Sequence, residues 1–317
     1  LDFSGPINTE NVNLNDKSIF YKLLSYAKLM FLFLRHIKKY DFYYVFFPGN
    51  INYLLLLILS FTNKKYGLYV RGEVNTRLPF FNKIFKKARI VVTNNPVLEK
   101  VLNDFSSNVK VVISYKNLGN ISPIINDEYT NETLKSNFLN MLFVGRVERR
   151  KGILELIDAC EILSKKQIEF KLTIVGGGDL YNDLVDRVKQ NDNLKHKIEF
   201  TGLIKNENRL QEYYRKSNLF VFPSHTEGFP RVIFDAMLNN LPILTTFVGG
   251  IPGFMEHGYN CLEIKVKDQI SIADKILHLN ADSKLRTQLS ENTKKSLKSI
   301  LEENGEMHFQ LILKALH

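Results

Sequence analysis

Short apolar runs alternate with segments of helical periodicity along most of this chain, and no other feature constrains the fold as strongly. Each run is long enough for a buried strand and too short for a buried helix. Strands are predicted at Phe42–Phe47, Gly67–Arg71, Ile90–Thr93, Val109–Ile113, Asn140–Val144, Phe170–Val175, Ile198–Phe200, Leu219–Phe222 and Ile243–Thr245. Because helices separate these strands, the pattern predicts an α/β protein with parallel sheets.

A polar stretch at residues 117–137 is the best candidate for a linker between two domains. With 317 residues, the chain can form two α/β domains with substantial cores. The predicted domains are residues 1–125 and residues 138–300. A C-terminal helix at residues 301–317 is expected to pack back on the first domain. Helices are also predicted at Lys17–Lys39, Ile51–Phe61, Ile153–Ser164, Leu180–Lys189 and from Ile270 onward.

The positive charge is concentrated in the first half of the chain. Of the net charge of +10, residues 1–130 carry +8, from 17 Lys and Arg against 9 Asp and Glu. Such a half is typical of proteins that meet a membrane surface, a lipid-linked diphosphate or a nucleic acid. A compositional bias toward Asn and Lys explains the same excess, so both interpretations stay open. The sequence contains no nucleic-acid recognition motif, which argues against nucleic acid as a partner.

The cysteines predict neither a disulfide framework nor a metal site. Cys160 and Cys261 are the two cysteines, and no metal-ligand spacing is present. Both are expected to be buried thiols in a reducing cytosol. The chain opens with a polar stretch that does not resemble a signal peptide, and its longest apolar run, Tyr53–Phe61, is too short to span a membrane. The sequence therefore favours a cytoplasmic protein.

The stretch Val221–Thr246 has the pattern strand, loop, helix and strand. In such units ligands bind beyond the carboxyl ends of the strands, where helix N-termini offer unpaired N–H groups. Glu227 lies in the loop and is expected to face solvent, and Asp235 follows about two helical turns later. Two carboxylates there suit sugar hydroxyls better than a phosphate. Surface carboxylates at this spacing are common, however, so the pair alone is a weak signal.

A second loop offers positive charge. Gly145 and Arg146 directly follow a predicted strand, and Lys151 and Gly152 precede the next helix. Two cations, with glycines that let the backbone approach closely, suit a diphosphate. Arg146 can hold two oxygens at once, whereas Lys151 supplies a point charge. A solvated cluster that includes the adjacent arginines is the alternative interpretation.

Both segments resemble those of retaining glycosyltransferases of family 4, which have the GT-B fold. The string PSHTEGFPRVIFDAMLNNLPIL is similar to the donor-binding motif of that family, and FVGRVERRKG to its diphosphate-binding pattern. The resemblance is firm over residues 140–265 and implies two Rossmann-like domains, with parallel sheets facing each other across a cleft. The family's opening strand and Gly-rich loop are not recognisable before Lys17. The first domain is therefore expected to be either truncated at its start or diverged.

The resemblance implies a role for each matching residue. Glu227 would orient the donor sugar, while Arg146 and Lys151 would stabilise the leaving diphosphate, and these three are the expected catalytic residues. Asp235 would hold the ribose hydroxyls, and Ile204 lies where relatives contact the base. The full set of expected substrate-binding residues is Gly145, Gly228, Phe229, Pro230, Asp235, Ile204, Gly250 and Arg71. No residue is expected to bind a metal.

The chain departs from the pattern of the family at four positions. Asp235 stands where a second Glu is usual, Asn240 where Gly is usual, Gly253 where Glu is common, and Arg71 where many members have His. The glycines Gly176–Gly178 lack the G-x-G-x-x-G spacing of a dinucleotide site. They are interpreted as a tight turn near the nucleotide.

The resemblance implies a retaining, metal-independent glycosyltransferase that needs no cofactor and takes its sugar from a UDP-sugar or a GDP-sugar. The expected acceptor is a saccharide or a lipid-linked saccharide in bacterial surface-polysaccharide biosynthesis. The basic first half adds the expectation of an enzyme held peripherally on the anionic inner face of the cell membrane.

Two other functions are alternatives to this one. A non-catalytic nucleotide-sugar-binding module, derived from such a transferase, is the main alternative because Arg71 stands in the His position. A nicotinamide-dependent oxidoreductase lacks both the glycine spacing and an acidic ribose partner near residue 200.

Overall fold

A computed structural model of the protein describes residues 19–71, 74–111, 136, 138–228 and 230–303. The described residues contain two sheets, one with four strands and one with six. Strands and helices alternate along the chain, as the sequence predicts for an α/β protein.

The four-stranded sheet lies in the first part of the chain and has the order β1-β2-β3-β4. Its strands are β1 (Phe42–Phe47), β2 (Lys65–Val70), β3 (Ile90–Thr93) and β4 (Val109–Val111). The helices of this part are α1 (Ile19–His36), α2 (Asn50–Ser60), α3 (Phe81–Lys87) and α4 (Pro96–Asn103). Strands β1 and β2 pair in parallel, with Phe42 opposite Lys65.

The six-stranded sheet has the order β10-β9-β8-β5-β6-β7, and all of its pairings are parallel. Its strands are β5 (Leu139–Val144), β6 (Phe170–Val175), β7 (Ile198–Gly202), β8 (Leu219–Phe222), β9 (Ile243–Thr245) and β10 (Leu262–Glu263). Its helices are α5 (Ile153–Lys165), α6 (Tyr181–Lys189), α7 (Glu207–Lys216), α8 (Arg231–Leu238), α9 (Gln269–Ala281) and α10 (Ser283–Glu303). The strand order reverses between β5 and β8, and ligands bind at such a switch point in open α/β sheets.

Apolar side chains hold the six-stranded sheet between its helices. All four residues of β8 are buried, which explains why this strand reads as a continuous apolar run. Helix α5 buries Ile153, Leu156, Ile157, Cys160 and Leu163, whose spacing forms one helical face. This helix packs against α9.

The strands and helices predicted from the sequence are confirmed, with small shifts at their ends. Helix α1 is described from Ile19 onward and ends at His36, before the predicted Lys39. Strand β4 is described as far as Val111, and the rest of its predicted range lies outside the described residues. Both cysteines are buried, as expected.

The chain divides into two compact units. One contains the described residues up to Val92 together with Leu102–Lys110, and the other contains Thr93–Val101 and the described residues after Lys110. The first predicted domain ends at residue 125, which lies outside the described residues, and the second begins at residue 138, beside them. Most of the helix predicted at residues 301–317 also lies outside the described residues. These boundaries stay predictions. In the described part of the chain, no helix has the length and apolar character needed to cross a bilayer.

Candidate active site

Two loops meet at the switch point of the six-stranded sheet. Strands β5 and β8 are neighbours, so the loop from β5 to α5 and the loop from β8 to α8 leave the same edge of the sheet. Neither α5 nor α8 has a side-chain cap at its first residues. The first N–H groups of a helix without such a cap make this edge favourable for an anion.

Lys151 and Glu227 form an ion pair between the two loops. The ammonium of Lys151 contacts Oε1 of Glu227, and the two side chains are 15% and 8% exposed. The expectation that Glu227 faces solvent is therefore wrong. Its carboxylate is shielded because the β8–α8 loop folds against the β5–α5 loop, which brings a cation beside it.

Ser224 fixes the carboxylate in place, a role that the sequence interpretation did not assign to it. Its hydroxyl donates to Oε1 of Glu227 at 2.7 Å, and its backbone carbonyl accepts a bond of 2.5 Å from the Thr246 hydroxyl. The backbone N–H of His225 donates to the Arg150 carbonyl at 2.8 Å, which joins the two loops directly. The sequence signal for this role of Ser224 is its position directly after Pro223 in the string that resembles the donor-binding motif.

Arg146 is a solvent-accessible cation of the β5–α5 loop. Its side chain is 70% exposed, and the guanidinium lies 3.9 Å from a carboxylate oxygen of Glu148. Arg150 takes the other oxygen of Glu148 at 2.6 Å. Arg146 therefore remains free to turn toward a ligand, whereas Lys151 is already held by Glu227.

Gly249 and Gly250 allow the loop after β9 to lie close to the loop that carries Glu227. A Cβ on Gly249, whose φ is +59°, would lie 1.5 Å from the carbonyl oxygen of Glu227, and a Cβ on Gly250 would lie 2.5 Å from that of Gly228. The loop after β9 therefore lies directly against the Glu227 loop, where only glycine fits. Gly250 thus supports the loop of Glu227 through backbone contact.

The predicted glycine turn is confirmed on the other side of the site. Gly176 has a φ of +140°, and a Cβ there would lie 1.8 Å from the carbonyl oxygen of Gly145. The backbone N–H of Gly145 donates to the Val175 carbonyl at 3.0 Å. These contacts hold the start of the β5–α5 loop against the end of β6.

Asp235 lies on α8, the helix that Pro230 introduces at its N-cap position. Burial raises the pKa of the Asp235 carboxyl to about 6, an effect that Arg231 opposes and Glu207 reinforces. Glu207 begins α7, so the carboxyl is near the start of that helix. Its surroundings therefore differ from those of Glu227, which has Lys151 as its partner.

Ile204 lies in the loop between β7 and α7, and its side chain packs against the apolar core. Leu203 beside it is 72% exposed. The exposed apolar surface of this loop is thus supplied by Leu203, while Ile204 anchors the loop.

Arg71 lies in the other compact unit, just after β2. Its backbone N–H donates to the Phe47 carbonyl at 2.8 Å, and its guanidinium lies 5.3 Å from the centre of the Tyr69 ring. Its role in binding a substrate stays a prediction. Phe229, which the sequence predicts as a contact residue, lies outside the described residues.

Two polar side chains next to these loops, His225 and Asn95, are not among the site residues predicted from the sequence. His225 Nε2 lies 3.2 Å from Glu155 Oε1, and the two side chains are 11% and 17% exposed.

Asn95 caps α4 by accepting from the N–H groups of Val97 and Leu98, and its amide lies 3.4 Å from the Gly228 carbonyl. A Cβ on Gly253 would lie 2.7 Å from Pro96. The start of α4 therefore leaves no room for the Glu that is common in the family at that position.

The membrane-facing surface expected from the basic first half consists of Lys22, Lys28, Lys38, Lys39, Lys83, Lys86 and Lys87. Several of these lysines have partners within the chain. The Lys83 ammonium lies 3.3 Å from the centre of the Phe61 ring, and Lys87 donates to the Ser60 and Thr62 carbonyls at the end of α2. The side chain of Lys22 is outside the described residues. Helix α1 exposes a mixed face of apolar and basic residues, namely Leu24, Lys28, Phe31, Leu34 and Arg35. Lys38 is exposed in the turn that follows this helix.

Comparison with known proteins shows relatives among glycosyltransferases. The chain is 34% identical over 175 residues to an uncharacterized glycosyltransferase of Methanocaldococcus jannaschii, a match of 55% of this chain and 48% of the relative. It is 30% identical over 177 residues to the capsular polysaccharide biosynthesis glycosyltransferase CapM of Staphylococcus aureus, a match of 55% of this chain and 44% of CapM. The chain thus spans about half the length of the curated relatives it matches.

The fold matches solved glycosyltransferase structures of the GT-B type. The structure of Anabaena Alr3699/HepE in complex with UDP superposes with a TM-score of 0.66 at 18% identity, covering 92% of this chain and 82% of HepE. At that identity the match shows the fold. The sequence profile described as "Glycosyl transferases group 1" matches residues 125–296. Because this match covers more than half of the 317 residues, the chain belongs to the glycosyl transferases group 1 family.

Proposed function

We propose that this chain is a retaining glycosyltransferase of family 4. It transfers a sugar from a UDP-sugar or GDP-sugar to a saccharide or a lipid-linked saccharide. Family membership supports sugar transfer in general, and the residues at the switch point support the finer assignment. The observation that carries it is the position of Lys151 against Glu227, which puts a cation and a carboxylate at one point of the sheet edge.

The site suits a molecule that has a diphosphate next to a sugar. Arg146 and Lys151, with the uncapped start of α5, match the charge of the diphosphate. Glu227 can accept hydrogen bonds from sugar hydroxyls, and the backbone of Gly228 and Pro230 follows it into α8. Asp235 offers a second carboxylate for the ribose.

The protein's part in the reaction is positioning and charge stabilisation. In the retaining mechanism, an oxygen of the leaving diphosphate takes the proton of the acceptor hydroxyl on the face where the new bond forms. The chain then needs no strong base of its own. Arg146 and Lys151 stabilise the negative charge that develops on the diphosphate, and a fixed Glu227 holds the sugar in the reacting orientation.

Diphosphate binding is proposed to need no metal, because two cations of the chain occupy the place of one. The sequence also has no Asp-x-Asp string of the kind that would hold a divalent ion beside a diphosphate. A chelator should therefore leave transfer unchanged. Loss of activity with EDTA that magnesium restores would overturn this part of the proposal.

The acceptor and the cellular setting are proposed from the relatives and from the surface of the first unit. CapM is described as acting in capsular polysaccharide biosynthesis, which supports a surface-polysaccharide pathway here as well. The face of α1 combines exposed apolar side chains such as Phe31, 65% exposed, with basic ones. Such a face suits the interface of an anionic membrane, so we place the enzyme peripherally on the inner face of the cell membrane.

The test is a panel of UDP-sugars and GDP-sugars, first in thermal unfolding and then in transfer to polyprenyl-diphosphate-linked saccharides. A donor present at 100 times its dissociation constant should stabilise the protein by about 2.7 kcal/mol. NMR of the product should show the anomeric configuration of the donor. A panel in which no nucleotide sugar binds contradicts the proposal, and binding without transfer to any acceptor favours the non-catalytic module.

A further inference from the structure

The ion pair of Lys151 and Glu227 affects how the site binds a nucleotide sugar and a nucleoside diphosphate. Under the proposed function, Lys151 meets the diphosphate and Glu227 meets the sugar. In the structure each of these groups is the partner of the other, and both side chains are largely shielded from water. Neither can serve a ligand fully while it holds the other.

The surroundings of Glu227 make its separation from Lys151 unfavourable. Its side chain is 8% exposed, and among the described residues its carboxylate contacts the neutral hydroxyl of Ser224, at 2.7 Å, besides Lys151. A shielded carboxylate that loses its cation keeps most of the cost of leaving water. New hydrogen bonds from sugar hydroxyls would offset that cost, and a bare phosphate would not.

We propose that Glu227 and the diphosphate compete for Lys151, and that this competition makes the site favour a complete nucleotide sugar over the nucleoside diphosphate. The inference rests on the proposed function. A nucleotide sugar draws Lys151 away and supplies hydroxyls to Glu227 in the same event. A nucleoside diphosphate draws Lys151 away and leaves the Glu227 carboxylate without a cation, so this reaction product binds weakly and leaves readily.

The test replaces Glu227 by Gln, which removes the charge and keeps an acceptor for Ser224. Titration calorimetry then measures the affinity for UDP, GDP and inorganic pyrophosphate. Because Lys151 is released from its partner, E227Q should bind UDP or GDP and pyrophosphate more tightly, by about tenfold, as expected for one charge-assisted hydrogen bond. Affinity for the nucleotide sugar should change less, so the preference for it over the nucleoside diphosphate shrinks.

Glu155 provides the matched control. It lies four residues after Lys151, has a shielded carboxylate, and pairs with His225 instead of Lys151. E155Q removes the same charge close to the same loop, so it reports the general electrostatic gain for an anion. Its effect on pyrophosphate affinity should stay within about twofold. Equal tightening in E155Q and E227Q, or no tightening in E227Q, overturns the proposal.

A double-mutant cycle identifies Lys151 as the competed group. In a Lys151→Met background, the Glu227→Gln change should no longer tighten pyrophosphate binding, because no cation is left to release. Tightening that persists in this background means that Glu227 acts by another route and contradicts the proposal.

A measurement without nucleotide separates failure of this inference from failure of the proposed function. Trace acetylation followed by mass spectrometry reports how available the Lys151 amine is. Release from the ion pair should raise its labelling rate several-fold in E227Q and leave it unchanged in E155Q. If no nucleotide binds but labelling follows this pattern, the proposed function fails and the ion pair stands. An unchanged labelling rate in E227Q overturns the inference whatever the nucleotide data show.

Discussion

At the scale of single residues, we expect Glu227 to contribute to both stability and transfer. Its carboxylate pairs with Lys151 and accepts from Ser224. Glu227→Ala therefore leaves the shielded Lys151 ammonium without its carboxylate, whereas Ser224 keeps the Arg150 and Thr226 carbonyls as acceptors at 3.2 Å. We expect transfer to fall more than tenfold, a barrier increase above about 1.4 kcal/mol. The free energy of unfolding should also fall, by about 1–3 kcal/mol. Urea denaturation and a transfer assay measure the two effects.

Glu199→Ala is the control for this change. Glu199 pairs with Lys171 at 2.6 Å, but these side chains are 45% and 48% exposed. An exposed pair contributes at most about 1 kcal/mol, so the urea midpoint should hardly move and transfer should persist. A Glu227→Ala protein as stable as this control would mean that the buried pair does not form in solution.

We expect Asp235 to make donor binding depend on pH. Its pKa of about 6, raised by burial, means that the carboxyl takes up a proton just below neutral pH. The protonated form is a weaker acceptor for ribose hydroxyls. We therefore expect the KM for the donor to rise as pH falls below 6, and Asp235→Asn to remove this dependence. A KM that rises equally in both proteins would assign the effect to another group.

The same pKa has an opposite consequence for stability. A carboxyl whose pKa is raised on folding stabilises the fold fully below its unfolded pKa, near 4, and that contribution is lost as pH rises through 6. Relative to Asp235→Asn, the wild-type protein should thus lose up to about 3 kcal/mol between pH 4 and pH 7. Urea denaturation of both proteins across this range measures the difference.

At the scale of elements, the contact between the loop after β9 and the loop of Glu227 depends on Gly249. Its φ of +59° disfavours a side chain, and a Cβ would lie 1.5 Å from the Glu227 carbonyl. Gly249→Ala should destabilise the protein by about 2–4 kcal/mol and displace Glu227, with loss of transfer. Gly177→Ala is the matched control, because a Cβ there meets nothing within 4 Å. Equal stability of the two variants would show that the loops are not in contact.

Arg286 joins three segments through hydrogen bonds from a buried guanidinium. It donates to the Leu279 carbonyl at 2.6 Å, near the end of α9, and to the Ser136 carbonyl at 2.9 Å, before β5. Arg286→Met fills the volume but leaves both carbonyls without this donor, so we expect a loss of about 2–4 kcal/mol in urea. Arg187→Met removes a partly exposed arginine, 37% exposed, and should cost about 1 kcal/mol. A smaller loss for Arg286→Met would contradict the anchoring role.

At the scale of the whole molecule, the basic charge and the exposed face of α1 predict membrane binding through the first unit. Sedimentation with liposomes should show binding that grows with the anionic lipid fraction and fades with salt. Reversing Lys28, Arg35 and Lys38 to Glu should abolish it, since each contributes about 1 kcal/mol near such a surface. Reversing Lys165, Lys166 and Lys189 in the second unit changes the net charge equally and should have less effect. Equal losses would mean that only net charge matters, and no binding at low salt would favour a soluble acceptor.

Much of the fold was predictable because element type depends on local periodicity. The run Leu219–Phe222 is apolar throughout and forms β8 as predicted, and the helix predicted within Val221–Thr246 is α8. The unusual Asn240 is explained by its φ of +52°, a left-handed conformation that Asn tolerates better than most residues and Gly adopts freely.

The sequence by itself determined the α/β class, the parallel strands and the loops that carry Arg146, Lys151 and Glu227, since these follow from apolar spacing and turn residues. Tertiary structure alone decided which loops meet. Strand order places β8 beside β5 although 74 residues separate Val144 from Leu219. From that adjacency follow the Lys151–Glu227 pair, the burial of a carboxylate expected at the surface, and the contact of Gly249 with its loop. Periodicity indicates which side of an element is buried, but it does not specify which other element covers it.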